Sequence, residues 1–191
     1  MTVGHIRTTH VGSLPRTPEL LDANIKRANG DIDDTEFFRI LEGSVDAVVK
    51  RQVDMGIDII NEGEYGHVTS GAVDYGAWWN YSFTRLGGLT MTDEDRWANA
   101  EKIRSTPGNI RLTSFADRRD RQLFREAYED PDSGIFQGRA SVGNPVFTGP
   151  ITYIGQDETS TDVTLLTNAM QRAGAASGFV AALSPGSAAR L

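Results

Sequence analysis

The sequence predicts a parallel α/β fold. Short β-branched or apolar runs at 6–11, 57–61, 146–154 and 179–183 alternate with stretches whose apolar residues recur at three- and four-residue spacing. Three of these four runs end in clusters of glycine, serine, proline or carboxylate. In parallel sheets that carboxyl end is where ligands bind. The run at 57–61, Ile-Asp-Ile-Ile-Asn, is nearly continuous, as a strand covered on both faces is. Four βα steps fit an open sheet or half of an eight-stranded barrel.

The first element is Ile6 to Val11, where Ile6, Thr8 and Thr9 favour a strand. Gly12-Ser13 turns the chain, and Pro15 and Pro18 keep Leu14 and Thr17 out of helix. Backbone N–H groups and a hydroxyl are thereby placed at a strand's carboxyl end. Thr17 caps a helix with Pro18 in its first position and Glu19 in its first turn. Leu20, Leu21 and Ile25 are its apolar side, and Asn29-Gly30 ends it. Asp33 or Asp34 starts a second helix. Its buried stripe is Phe38, Leu41, Val45, Val48, Val49 and Gln52, with Arg39, Glu42, Asp46 and Lys50 opposite and Gly56 past the end. The 57–61 strand follows and runs into Glu62-Gly63-Glu64-Tyr65-Gly66-His67, which completes a βαβ unit.

Glycines then surround Trp78, Trp79, Tyr81 and Phe83, which predicts a long loop with a short aromatic helix over 76–86, covering the mouth of the sheet. Thr92 and Asp95 cap a helix over 93–103, and Thr106-Pro107-Gly108 breaks the chain. The charged stretch 117–129 reads as a solvated helix with Leu123, Phe124 and Ala127 on its apolar side, followed by a turn at 130–134. A strand pair is expected at 141–143 and 146–154, limited by Pro145 and Pro150. A helix over 159–173 carries Val163, Leu166, Met170 and Ala173 on one stripe. The last strand, 179–183, runs into Ser184-Pro185-Gly186-Ser187.

The totals narrow the function. The 191 residues suffice for one domain, 1–191, with a real core. Net charge is −7 and no Lys/Arg stripe is present, which argues against nucleic acid. No apolar stretch of ~20 residues suggests a membrane span. The amino terminus lacks the pattern of a signal peptide. Cysteine is absent, which fits a cytoplasmic protein and leaves no thiolate for catalysis or metal binding. His10 and His67 both follow strands and would converge with Glu62 or Glu64 in a metal reading. Together with His5 they show no ligand spacing, so no metal site is expected from this chain. The sequence stops just after its fourth strand, whereas a closed barrel takes ~250 residues, so it reads as a fold cut in the middle.

Thr8-Thr9-His10-Val11-Gly12-Ser13-Leu14-Pro15-Arg16 resembles the opening of the catalytic barrel of cobalamin-independent methionine synthases, and still more that of their shorter single-barrel relatives. Asp58 to Glu64 is similar to the family's second strand and its Gly-Glu ending. Thr148 to Gln156 resembles the family's Gly-Pro-x-Thr strand, and Ala181 to Ser187 has a counterpart in the shorter relatives. The resemblance runs from about residue 6 to the end. It implies an α/β fold of (β/α)8 TIM-barrel type with only the first half of the barrel present. It also implies methyl or alkyl transfer to a thiol, such as homocysteine, held as thiolate on zinc. The family's zinc ligands, a His, cysteines and a carboxylate, lie in the second half of the barrel, so this chain lacks them.

Residue by residue, the resemblance makes Val11, Gly12 and Ser13 the holder of an amino acid's carboxylate and Glu64 the holder of its ammonium. Backbone N–H groups with a hydroxyl suit an anion, and a carboxylate suits a cation. His10 becomes a substrate contact or a base near the thiol. Gln156 stands where the synthases carry a tryptophan that stacks on the pterin, which argues against a folate donor. The expected function is the substrate-binding half of a zinc-dependent thiol methyl- or alkyltransferase. It would be paired with a second polypeptide, or self-associated, to cover the open edge. The alternative is a non-catalytic small-molecule-binding or assembly subunit. A truncated product would aggregate through the open strand edge.

Overall fold

The computed structural model describes residues 4–67, 81–92, 106–109, 119–130 and 144–184. Contacts divide the chain into two compact units, Met1–Gly88 with Gly149–Leu191, and Leu89–Thr148.

In the larger unit, helix α1 (Pro18–Asn29) starts at Thr17, whose side chain accepts the Leu20 N–H at 3.2 Å, and ends at Gly30 with φ of 78°. Helix α2 (Asp34–Asp54) starts at Asp33, which accepts the Glu36 N–H at 2.8 Å. Both caps are the ones the sequence marks. The buried face of α2 is Phe37, Leu41, Ser44, Val45, Val48, Val49 and Gln52. Phe37 therefore takes the core place expected for Phe38, which is 39% exposed. Phe38 instead packs edge-on to Phe37 with ring centres 5.7 Å apart, and Arg27 lies over both rings.

The parallel framework has three neighbours. The Ile59 N–H donates to Thr8 O at 3.1 Å, and Thr9 bridges Ile59 in parallel. The Ile60 N–H donates to Ser177 O and the Phe179 N–H donates to Ile60 O, both at 3.1 Å, with Ile60 and Gly178 bridged in parallel. The order is thus Thr8–Thr9, Ile59–Ile60, then Ser177–Phe179, joined by isolated bridges among the described residues rather than by the full strands expected at 6–11, 57–61 and 179–183. Among the described residues the ladder is one bridge deep on each side. A Cβ at Gly178 would lie 3.0 Å from Ile60 Cδ1 and 3.1 Å from Ile60 O, so glycine lets these strands approach.

The expected strand at 146–154 does not join this set. Strand β2 (Asn144–Tyr153) pairs instead with strand β1 (Leu86–Thr92) in a two-stranded sheet. The Ile154 N–H donates to Arg85 O at 2.9 Å, and Thr90 bonds Thr148 through their hydroxyls at 2.9 Å. Partners advance along one strand as they retreat along the other, so the ribbon is antiparallel. The strand expected at 146–154 is thus present, and its expected partner at 141–143 lies outside the described residues. The aromatic helix expected over 76–86 gives way to strand at Leu86, and residues 81–83 are its described helical part. Gly87 and Gly88, read as loop residues, are where two backbones meet. A Cβ at Gly88 would fall 2.3 Å from Pro150 O, and its φ is +83°.

Helix α5 (Gln156–Ala173) begins earlier than its periodicity suggests. It buries Leu166 and Ala169, while Val163, expected on the stripe, is 50% exposed. α2 packs against both α1 and α5. The core consists of Leu20, Ala23, Phe37, Leu41, Val45, Val49, Ile60, Leu166 and Ala169 among others. At the rim, Arg172 of α5 bonds Asp46 at 2.7 Å and Glu42 at 3.0 Å.

In the smaller unit, Thr106 and Asn109 close a tight turn over Pro107-Gly108 through paired backbone bonds of 3.1 and 2.9 Å. Short helices α3 (Arg119–Leu123) and α4 (Arg125–Glu129) replace the single helix expected there. The break is Phe124, at φ −113° and ψ 34°. Leu123 and Phe124 are 65% and 61% exposed, so the expected apolar side is not buried. Trp78-Trp79, the 93–103 helix, most of the 130–134 turn and residues 185–187 lie outside the described residues. Among the described residues no helix is long and apolar enough to cross a membrane.

Candidate functional site

The carboxyl ends of the first two parallel strands are tied together by polar side chains. At their start, Asp58 accepts the Thr8 N–H at 2.7 Å, the Thr8 hydroxyl at 2.9 Å and His5 Nε2 at 3.0 Å. These bonds, the Thr8 N–H foremost, hold the Asp58 carboxyl down at about 2. At their end, Asn61 Nδ2 donates to His10 O at 2.5 Å and Asn61 Oδ1 accepts the Gly63 N–H at 2.8 Å. Gln52 of α2 bonds both the N–H and the C=O of Asn61, at 3.2 and 2.6 Å. That is why a polar residue sits in the buried stripe of α2. Leu14 N–H donates to Gly63 O at 3.0 Å, and Tyr65 OH to Pro15 O at 2.8 Å.

Glu64 stands at the centre. It is 1% exposed and adopts a left-handed conformation with φ of 57°, directly after Gly63 at 70°. For a residue with a Cβ this conformation costs about 1–2 kcal/mol. The surroundings enforce it. Arg16 Nη2 donates to Glu64 O at 2.5 Å, and the His67 N–H donates to the same oxygen at 3.1 Å. The Ser13 hydroxyl donates to Glu64 Oε2, joining the two strand ends through their side chains. Glu64 Oε1 has no hydrogen-bond partner among the described residues.

Two more titratable groups flank it. His67 is buried, its Nδ1 lies 3.7 Å from Glu64 Oε2, and its ring lies 3.8 Å from that of Tyr81. Burial, then Arg16 and Arg85, push its pKa down to about 3, so it is neutral near pH 7 and its contact with Glu64 is no ion pair there. Glu62 is 5% exposed and its Oε2 is unpartnered among the described residues. Burial, with Asp162 and Glu64 adding to it, pushes its pKa up to about 7 against the pull of the N–H groups of Glu62 and Glu64. Asp162 of α5 accepts Arg85 Nη2 at 2.8 Å and Tyr81 OH at 2.9 Å. Arg85 also lies 3.7 Å from the Tyr81 ring centre. Burial, then Asp162, raises the Tyr81 phenol.

The residues singled out from sequence fall as follows. Ser13 and Glu64 are brought together. Val11 is 70% exposed and Gly12 has φ of +108°. Among the described residues no protein acceptor takes the N–H of Val11, Gly12 or Ser13. His10 donates from Nε2 to Gly12 O at 2.9 Å, so that nitrogen shapes the turn. Gln156 opens α5 and donates to Tyr153 O at 3.0 Å. Sequence reading missed Arg16, Asn61, Asp162 and Arg85, and it weighed Glu62 and His67 only as metal ligands. The Glu-Gly-Glu spacing pointed to Glu62. Nothing local marked Asp162, which sits among polar residues of a helix distant in sequence.

The residues present do not fit a thiolate-bound zinc ion. The sequence has no cysteine, and among the described residues no three His, Asp or Glu side chains form a metal-holding group. His5 bonds Asp58, His10 bonds Gly12, and His67 stacks on Tyr81.

Fold and site together define an α/β protein whose polar site lies at the carboxyl ends of parallel strands, one end exposed and one buried. Residues 6–189 match the family described as "Cobalamin-independent synthase, Catalytic domain", a family of TIM-barrel fold, and the chain belongs to it. It is 35% identical over 57 residues to a 5-methyltetrahydropteroyltriglutamate–homocysteine methyltransferase of Acidithiobacillus ferrooxidans, covering 30% of this chain and 7% of that protein. It is 32% identical over 82 residues to the Ralstonia pickettii protein of the same name, covering 42% and 10%. It is 29% identical over 77 residues to the uncharacterized protein YxjH of Bacillus subtilis, covering 40% and 18%. The matched part thus spans less than a fifth of the length of each of these relatives.

Proposed function

We propose that this chain is the substrate-binding, amino-terminal half of a βα barrel that acts in cobalamin-independent methyl or alkyl transfer to a thiol. The observation that carries this reading is the Ser13–Glu64 bond between two parallel strand ends, with Glu64 buried and one of its oxygens unpartnered. An amino acid such as homocysteine would place its ammonium on Glu64. Its carboxylate would meet the N–H groups of Val11, Gly12 and Ser13, with the Ser13 hydroxyl turning toward it. The parallel order of the bridged segments at Thr8–Thr9, Ile59–Ile60 and Ser177–Phe179 supports successive barrel strands. A face that another piece of polypeptide covers follows from the resemblance to the first half of a closed barrel. That piece, a second polypeptide or a second copy, is part of the reading, as is a cytoplasmic location. A zinc ion would have to be held by residues other than those of this chain, and this chain would bind and orient the thiol substrate.

The test is calorimetric titration of the full chain with L-homocysteine. Glu64→Gln is expected to weaken binding about 100-fold, as loss of a buried charge partner does, and Ser13→Ala about fivefold. Unchanged affinity in Glu64→Gln would sink the reading. The absence of any cysteine favours a second reading, a non-catalytic binding subunit. It predicts the same affinities without transfer activity when a partner polypeptide is added.

A further inference from the structure

The geometry points to Glu62 as a second carboxylate arm for a primary ammonium, its Oε2 and Glu64 Oε1 receiving the same cationic group. Both residues are more than nine-tenths buried, and each keeps one carboxyl oxygen without a partner among the described residues. Such oxygens are rare in folded proteins, because the lost hydration is not replaced. The two acids are separated only by Gly63, and they sense each other electrostatically. Gly63 and Glu64 are consecutive left-handed residues, so the backbone between the two acids is fixed in a sparsely populated conformation.

The neighbouring charges do not fill the role. Asp162 faces Glu62 from α5, but its carboxylate is taken by Arg85 and Tyr81. Arg16 bonds the Glu64 and Leu14 carbonyls. His67 is uncharged near pH 7. A primary ammonium has three donors and one positive charge, enough for both orphan oxygens and a further acceptor. Its arrival favours the ionised form of Glu62, so the proton held there leaves to solvent. No bond to carbon changes.

This deepens the amino-acid reading and rests on it only for the far end of the ligand. Three probes separate the two: L-homocysteine, 4-sulfanylbutanoate without an ammonium, and 3-sulfanylpropan-1-amine without a carboxylate. In titrations of the full chain, Glu62→Gln is expected to weaken both amines about tenfold and leave 4-sulfanylbutanoate unchanged. Repeating wild-type titrations at pH 7 in buffers of different ionisation heat is expected to show about half a proton released per amine bound, none of it in Glu62→Gln. Glu62→Asp, which keeps the charge, is expected to keep the release. Equal weakening of all three probes, or no weakening, overturns the second arm. Glu62-dependent binding of the aminothiol without binding of homocysteine upholds the arm and sinks the amino-acid reading. No binding of any probe overturns both.

Discussion

The two strand ends that meet at the site are built in opposite ways. After the bridged segment at Thr9, Val11 is largely exposed and the N–H groups of residues 11–13 find no acceptor among the described residues. After the one at Ile59–Ile60, every residue from Asn61 to His67 except Gly66 is buried, and the backbone is strained and clamped by Arg16 and Gln52. The difference follows from what each end carries. Solvated N–H groups need no fixed partner until an anion arrives. Buried carboxylates need partners placed in advance, or they lose their charge. The buried end is preorganised and the exposed end is adjustable.

The largest way to break that contrast is to remove charge from the buried end. The Glu62 carboxyl titrates at about 7 in the fold against its ordinary 4.5. Below 4.5 both states hold the proton. As pH rises from 4.5 to 7 the unfolded chain ionises first, so stability falls, and the loss is complete above 7. Glu62→Gln is therefore expected to stabilise the fold by about 3 kcal/mol at pH 8 and by nothing near pH 4, read from chemical denaturation. His67 has the opposite sign. Its depressed pKa supplies stability above 6.5 that is lost as pH falls toward 3. Between 4.5 and 6.5 the two slopes oppose each other and the wild type is nearly flat. Glu62→Gln uncovers the His67 slope, and its melting temperature is expected to drop steadily below pH 6.5.

A smaller effect follows from cutting the link between the ends. Asn61→Ala removes the bonds to His10 O and Gly63 N–H and is expected to destabilise the fold by about 2 kcal/mol. The smallest comes from the exposed end, where Val11→Thr is expected to shift stability by less than about 0.5 kcal/mol. A melting shift at Val11 as large as that at Asn61 would erase the contrast.

Where chemistry was local, the sequence revealed it. Thr17 and Asp33 cap their helices because each offers an oxygen to an N–H three residues on. Ser13 was marked by the turn that follows Val11, and Glu64 by the resemblance of Asp58 to Glu64 to the family's Gly-Glu ending. The reading failed where partners are distant. Phe37 and Phe38 are adjacent, and only the packing decides which one turns inward. Val146 to Ile154 has strand composition, yet nothing within it says whether the partner is Ile60 or Gly88. Asp162 enters the site only because α5 returns to the second strand.

That return bears on how the chain is made. Arg172 reaches Asp46 across 126 positions. Bringing such distant ends together costs about 4 kcal/mol of loop entropy before any contact compensates. Residues 4–67, by contrast, hold two helices and the bridged segments at Thr9 and Ile59 with short connections. At ordinary ribosome speeds the third strand emerges roughly ten seconds after the second. For that interval the nascent chain presents Ile60 and the apolar flank of α2 uncovered, so its yield in the cell depends on what shields that flank during translation.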